Sequence, residues 1–481
     1  MMDATQENQN PFALAPDGKK KLFLVGLLLC VFGSIMQSTT LSIMLPMSVP
    51  DVGGQDIYSL ASTLGAPLGI VGMPLYGYLA ARQPSIKIPL MVVSYVVGCA
   101  VLALRFIAWD MWIIILAMIF WGMVSPATFV LGYSLIRDMF DAKKAGAYLG
   151  MCGTAMMLAS LIGPIGGGAL MGIVGWRAFN LVILPFMLIG ALCIAFSVKV
   201  TKEQMAPFAR GGSSFDFLGT IGLTLFLGGL ILGLSLGTSF APFGSMPSFA
   251  LFGIAIVGLI ILIVAMKQRG AGAIIPAPAL KNRNVLAFTL ANFCGMFSNM
   301  ALFFFLPSYI IYVIFSGEGS FQSGIVMACM SLLGVFLSPW FGGKIGKMGT
   351  AKPILMLSAA LRAITNVLLV VYLTMAGAES SWIVLAVIML TLGGVYNATH
   401  TVSFSAGPQV QLSEDVRLQG NAVIQAGQNI GSGVGTAVYS VIIGVAGIVG
   451  GMPIALTVAA IFACLTFVCA MFLQKLPAKA E

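Results

Sequence analysis

Charge is what this sequence has least of. Charged residues fill 8% of its 481 positions while 59% are hydrophobic, against roughly 25% charged in an average soluble domain. A water-soluble fold of this size needs more polar surface than that, so an aqueous globular protein is excluded. Histidine is nearly absent, with His400 alone. There are no paired acids deep in an apolar run, no deep lysine and no His-rich cluster, which argues against an intramembrane enzyme. No Gly-rich loop ends in Lys-Ser or Lys-Thr, so nothing points to ATP. The cysteines Cys30, Cys99, Cys152, Cys193, Cys294, Cys329, Cys464 and Cys469 lie in apolar runs without metal-ligand or disulfide spacing and read as small packing residues. No metal and no cofactor is expected. The net charge of +9 is spread over short loops instead of a basic domain, which excludes nucleic acid as a partner.

What is present is a succession of apolar runs long enough to cross a hydrocarbon layer, which takes roughly 20 helical residues each. They predict an all-α polytopic membrane protein with fourteen transmembrane helices, over 22–44, 57–80, 88–108, 111–136, 146–172, 178–198, 216–237, 248–266, 286–314, 322–341, 353–375, 382–400, 419–446 and 452–473. The positive-inside rule checks the count. With Lys19, Lys20 and Lys21 cytoplasmic, all but three of the 24 basic residues fall on the same side, the exceptions being Arg105, Arg177 and Arg362. Miscounting by one helix scrambles that pattern. An even number of crossings is therefore expected, with both termini cytoplasmic in a multi-pass protein of the cell membrane. The first run is too long and too polar at its end for a cleaved signal peptide, and residues 1–18 read as a disordered tail.

The chain also repeats itself. Gly77, Arg82 and Lys87, after the second run, recur as Gly342, Lys347 and Lys352 after the tenth, each displaced by 265 residues. The expected organisation is a cytoplasmic tail (1–21), an N-terminal six-helix bundle (22–200), a linker with an inserted two-helix hairpin (201–284), a C-terminal six-helix bundle (285–473) and a short cytoplasmic tail (474–481).

The fifth run carries the most specific pattern: Gly150, then Gly163-Pro164, then Gly167-Gly168. Small residues let helix backbones approach closely, and proline removes a backbone donor and permits a bend. This series resembles the antiporter signature of the fourteen-helix drug:proton exporters of the major facilitator superfamily, with Ala159 where one glycine stands. Trp176 and Arg177 follow as in that family. Gly77 to Arg82 looks like the superfamily's cytoplasmic signature between its second and third helices. Pro276 to Val285, Phe305-Leu306-Pro307, and Gly420, Asn421, Gly431 and Gly435 resemble its later segments. The resemblance runs from about Leu22 to Leu473. It implies the major facilitator fold, two parallel six-helix halves rocking about a midplane site.

Several charged positions of that group are missing. Gln37 stands where the resemblance expects an acidic residue nine positions before Pro46, Met118 where it expects an arginine, and Ala81 where it expects an aspartate. No acidic residue lies near the middle of any predicted span, so a deep carboxylate trap for lipophilic cations is not expected. The cationic groups that remain are Arg362, about ten residues into the eleventh span and either structural, lipid-facing or substrate-binding; Arg105, read as an interfacial anchor; and His400, either a proton relay or a hydrogen-bonded loop residue. Arg137 and Asp138 read as a local charge pair ending the fourth span. By the resemblance, the first, fourth, ninth and twelfth spans line the pathway, offering Gln37, Thr40, Ser125, Thr128, Asn292, Asn299, Tyr396 and Asn397. The 29 Met and 32 Phe residues would let an apolar cavity adapt to bulky ligands.

Together these imply a secondary active transporter with a small-molecule substrate and the bilayer as partners, and the resemblance implies protons as the coupling ion. It moves a small organic or amphipathic compound by alternating access. The resemblance implies drug or metabolite efflux. The missing carboxylates motivate an alternative, an organic-anion importer or exchanger.

Overall fold

The computed structural model describes residues 10–55, 57–58, 60–208, 215–237, 241–275 and 277–475, and among them every regular element is helical. Among the described residues eleven helices are long and apolar enough to cross a membrane. In chain order the principal helices are α1 (Asp17–Val52), α2 (Gly65–Arg82), α3 (Lys87–Phe106), α4 (Met111–Met139), α5 (Ala142–Ala195), α6 (Phe217–Ser235), α7 (Met246–Arg269), α8 (Arg283–Ile314), α9 (Ser320–Met348), α10 (Lys352–Ala376), α11 (Trp382–Gln411) and α12 (Glu414–Met471).

Two of these are far too long for one crossing. The 54 residues of α5 and the 58 of α12 would each reach roughly 80 Å at 1.5 Å per residue, against a hydrocarbon core of about 30 Å. Each breaks at a glycine outside helical geometry, Gly175 (φ 80°, ψ 161°) in α5 and Gly447 (φ 69°, ψ 169°) in α12. A positive φ at such a corner is open to glycine at no steric cost.

The repeat read in the sequence has a packing counterpart. α1 lies along α5 as α8 lies along α12, α3 packs on α5 as α10 packs on α12, and α2 meets α4 as α9 meets α11. Gly77 faces Val130 of α4, and its counterpart Gly342 faces Val402 of α11. α6 and α7 form a hairpin against α12 and α2. Gly222 and Gly258 bring the hairpin's two backbones into contact, while Ile256, Val257 and Ile260 on α7 stay exposed, as suits a lipid-facing surface.

The two repeats have matching ends. At the proximal end, where α1 begins and α12 ends, Lys19 donates to the Phe196 carbonyl (2.7 Å), and Lys352 donates to the Met471 carbonyl (2.6 Å). At the distal end the repeats close on each other. The Tyr312 hydroxyl donates to the Pro46 carbonyl, Tyr58 and Ser308 share a hydrogen bond of 3.2 Å, and the Ser320 hydroxyl donates to the Gly168 carbonyl at 3.0 Å.

Three local expectations are corrected. Residues 10–16, read as part of a disordered tail, form a turn with Phe12 wholly buried and the Ala13 carbonyl accepting from Lys20. Asp138 does not pair with its neighbour Arg137, which is exposed. It accepts from Lys87 at 2.6 Å, and Ser134 accepts from the same ammonium at 2.8 Å. Arg105 is not an interfacial anchor, since only 2% of it is exposed. At the end of a helix the interior face is set by packing against residues distant in the chain, so a residue's nearest charge in sequence need not be its nearest charge in space.

Candidate functional site

Between the two repeats lies a cavity of about 400 Å³. On one side its wall is built by α1 (Gln37, Ser38, Thr39, Leu41, Ser42), α2 (Gly69, Met73) and α4 (Met118, Trp121, Gly122, Ser125). On the other it is built by α8 (Met296, Asn299, Met300, Phe303, Phe304) and α12 (Asn429, Ser432, Gly433, Thr436). A mostly apolar wall with a few convergent polar groups is the general form of a small-molecule site. Met73, Met118, Met296, Met300, Phe303 and Phe304 stand in this wall, where thioethers and rings can repack about ligands of different shape.

Of the pathway candidates, Gln37, Ser125 and Asn299 line this cavity. The other five bond elsewhere, Thr40 within its own helix and the rest to neighbouring ones. Thr40 donates to the Met36 carbonyl (2.8 Å), Thr128 shares a bond with the buried Tyr95 hydroxyl (2.9 Å), and Asn292 donates to the Ile424 carbonyl (3.2 Å). Asn397 donates to the Met330 carbonyl (3.2 Å), and Tyr396 packs its ring between Arg362 and His400. The cavity side chains missing from the sequence reading include Asn429, Ser432 and Thr436. Their i, i+3, i+7 spacing marks one polar stripe of a helix and was visible in the sequence as such.

Helix geometry around the cavity departs from regular α. α4 has a π-helical stretch over Ala127–Gly132, just past Ser125 and Pro126, and its repeat partner α11 has one over Met389–Gly393. α8 has two, Ala301–Phe305 and Ile310–Ile314. Such segments recur at functional sites because the extra residue per turn frees a carbonyl and re-aims side chains.

The buried cations sit just behind this wall. Arg362, 1% exposed, donates through Nη2 to the Ser298 carbonyl (3.1 Å) and to Asn299 Oδ1 (2.9 Å), and its guanidinium lies 4.6 Å from the Tyr396 ring centre. Asn366 and the Ala459 carbonyl hold Ser298 in place, tying α8 to α10 and α12. His400, 8% exposed, lies 5.2 Å from the Tyr396 ring, ring centre to ring centre, with Nδ1 unpartnered. In the first repeat Arg105 meets the thioethers of Met44 and Met118, and Gln37 donates toward Met118 at 3.7 Å.

The glycine series of α5 lies at the distal seam. A Cβ at Gly163 would stand 2.5 Å from Thr39 Oγ1, one at Gly167 would collide with Thr40, and one at Gly168 would stand 2.5 Å from the Ser320 carbonyl oxygen. Opposite, a Cβ at Gly324 would collide with the Pro164 carbonyl. Gly150 lies nearer the proximal end of the same helix. In the last turn of α2, Arg82 donates to the Tyr78 hydroxyl at 2.7 Å.

Repeated helical bundles meeting around a shared interior cavity define a polytopic, all-helical membrane fold. The chain matches the Major Facilitator Superfamily over residues 27–410 and belongs to that family. Among curated relatives it is 25% identical over 330 residues to the multidrug transporter protein MdtP of Bacillus subtilis (strain 168), covering 68% of this chain and 58% of that one. It is 25% identical over 335 residues to multidrug resistance protein 3 of the same organism, covering 68% and 62%, and 27% identical over 295 residues to the efflux pump dotC of Dothistroma septosporum, covering 60% and 49%. The chain thus spans about half to three-fifths of the length of these relatives. Among solved structures it is similar in fold to a POT family peptide transporter in complex with alafosfalin, with TM-score 0.63, 14% identity, and 98% and 100% of the two chains covered. The multi-pass membrane protein expected from hydropathy is therefore a member of the major facilitator superfamily, and its curated relatives include multidrug efflux proteins.

Proposed function

We propose that this protein exports a small organic or amphipathic compound across the cell membrane by alternating access, coupled to the proton gradient. The observation that carries this reading is the cavity walled by α1, α2 and α4 of one repeat and α8 and α12 of the other. A site that both halves share is one that rocking can open to either side in turn. The distal contacts at Pro46, Tyr58 and Gly168 are the ones that must part when the cavity opens at that end.

Dividing α5 and α12 at their glycine corners and counting α2 gives fourteen crossings, two bundles of six (22–200 and 285–473) and a hairpin within 201–284. The proximal end, where the basic residues gather, is assigned to the cytoplasm with both termini. The direction of transport follows the efflux relatives, and proton coupling follows the likeness to drug:proton antiporters. Among the described residues no cavity-lining side chain is an Asp, Glu or His, so the coupling proton travels through a group behind the wall or on the substrate itself. The protein catalyses translocation and no bond chemistry.

The test is flux in proteoliposomes, with labelled amphipathic compounds and with the pH gradient and voltage imposed separately. Accumulation that follows the pH gradient is expected. Flux indifferent to both forces overturns proton coupling, and turnover of a compound without any sealed compartment overturns the carrier.

A further inference from the structure

Two arginines lie in the interior, one in each repeat, and neither has a carboxylate partner among the described residues. A guanidinium out of water is costly unless its charge and its donors are met. Around Arg362 they are met only in part. Ser298 and Asn299 engage Nη2, the Tyr396 ring covers one face, and Nε and Nη1 have no partner. Arg105 fares worse, with two thioethers, which accept hydrogen bonds weakly, and an unpartnered Nε.

Each arginine touches a side chain of the cavity wall. Asn299, which accepts from Arg362, lines the cavity, and so does Met118, which Arg105 contacts. Two guanidinium groups therefore stand one side chain behind opposite walls, and among the described residues the wall between them contains no carboxylate. In a low-dielectric enclosure their field is little screened and favours an anion. The rest of the lining, Met73, Trp121, Phe303 and Phe304 among it, suits an aromatic or branched apolar body.

We propose that the cavity binds amphipathic organic anions, a single carboxylate or sulfonate on an apolar body. Arg362 is the group that receives the charge once the Asn299 amide turns aside, and Arg105 adds attraction from the opposite wall. This rests on the carrier reading above and names its substrate class. An arginine serving only to join α8, α10 and α12 would have its donors saturated by carbonyls, and Arg362 keeps two in reserve. A lipophilic cation would find repulsion from both sides and no counterion.

The test is equilibrium binding of radiolabelled naphthoate, its neutral alcohol and its ammonium analogue to the purified full chain in lipid nanodiscs. Naphthoate is expected to bind roughly ten- to hundredfold more tightly than the alcohol, the worth of a hydrogen bond to a charged group. Arg362→Gln is expected to abolish that preference while leaving the alcohol's affinity in place, and Arg362→Lys to keep part of it. Equal binding of the three probes by the wild-type chain, or preference for the ammonium, overturns the proposal without any variant having to fold. So does an Arg362→Gln protein that loses all three probes alike with a lowered melting temperature, the mark of a structural arginine. Flux separates the two readings. If the alcohol or the ammonium is carried and naphthoate is not, the anion site falls and the carrier stands. If naphthoate binds selectively and nothing is carried, the carrier falls and the anion site stands.

Discussion

Gly324→Ala should move this protein out of the distally closed conformation. The added methyl carbon would collide with the Pro164 carbonyl oxygen and lie 2.9 Å from its carbon, where ordinary contact begins at 3.4 Å. Neither atom is a flexible side-chain end, so α5 and α9 must separate by roughly half an ångström or more. Overpacking of this kind costs about 1–3 kcal/mol. A cost borne by one conformer alone shifts the equilibrium by about 5- to 150-fold. Alanine also improves helix propensity over glycine by about 1 kcal/mol, but that gain is common to both conformers and leaves their ratio unchanged. Spin labels at Trp109 and Met375, exposed positions at the distal ends of the two repeats, read the outcome as a distance distribution. A longer component should appear or grow in Gly324→Ala and dominate in Gly324→Val. An unchanged distribution in both variants would refute the reasoning, because the seam would then not be what holds the distal end shut.

Lys87→Met should destabilise the chain by about 1.5–3 kcal/mol, the worth of a hydrogen bond to a charged group, since Asp138 then keeps only part of its solvation with 25% of its side chain exposed. Adding Asp138→Asn should recover part of that loss, and a double-mutant cycle of melting temperatures in detergent checks it. Gln37→Asp places a carboxylate in the wall where 1% of the side chain is exposed, and it should raise the binding of tetraphenylphosphonium at least tenfold by supplying the counterion now lacking. Robust wild-type efflux of such cations, unimproved by the change, would count against the anion site. Impermeant maleimide should label a cysteine placed at Lys281 only from the cytoplasmic side and one at Glu318 only from outside; the reverse pattern would invert the proposed orientation.

How much of this could be read in advance depends on the range of the interaction. The glycine series of α5 was legible because its meaning is local: small residues at helical spacing offer a flat face, whatever packs on it. That α9 presents Gly324 to that face was not legible, since the partner is more than 150 residues away. Gln37, Ser125 and Asn299 were within reach because polar groups on apolar helices are few. Thr128 and Asn292 are as polar, and they face Tyr95 and Ile424 instead. Arg105 sits near a helix end, which by sequence position suggests an interface, yet Met44 and Met118 enclose it.

The sequence by itself determined the solvent, the all-helical class and the repeat, because these follow from hydropathy summed over twenty-residue runs and from motifs recurring in order, neither of which needs a tertiary contact. Only the tertiary structure decided which polar groups meet. The rotation of each helix about its own axis, set by knobs and grooves on neighbours distant in the chain, puts Asn299 between Arg362 and the cavity, leaves two guanidinium donors unspent behind the wall, and hands Asp138 to Lys87 instead of Arg137.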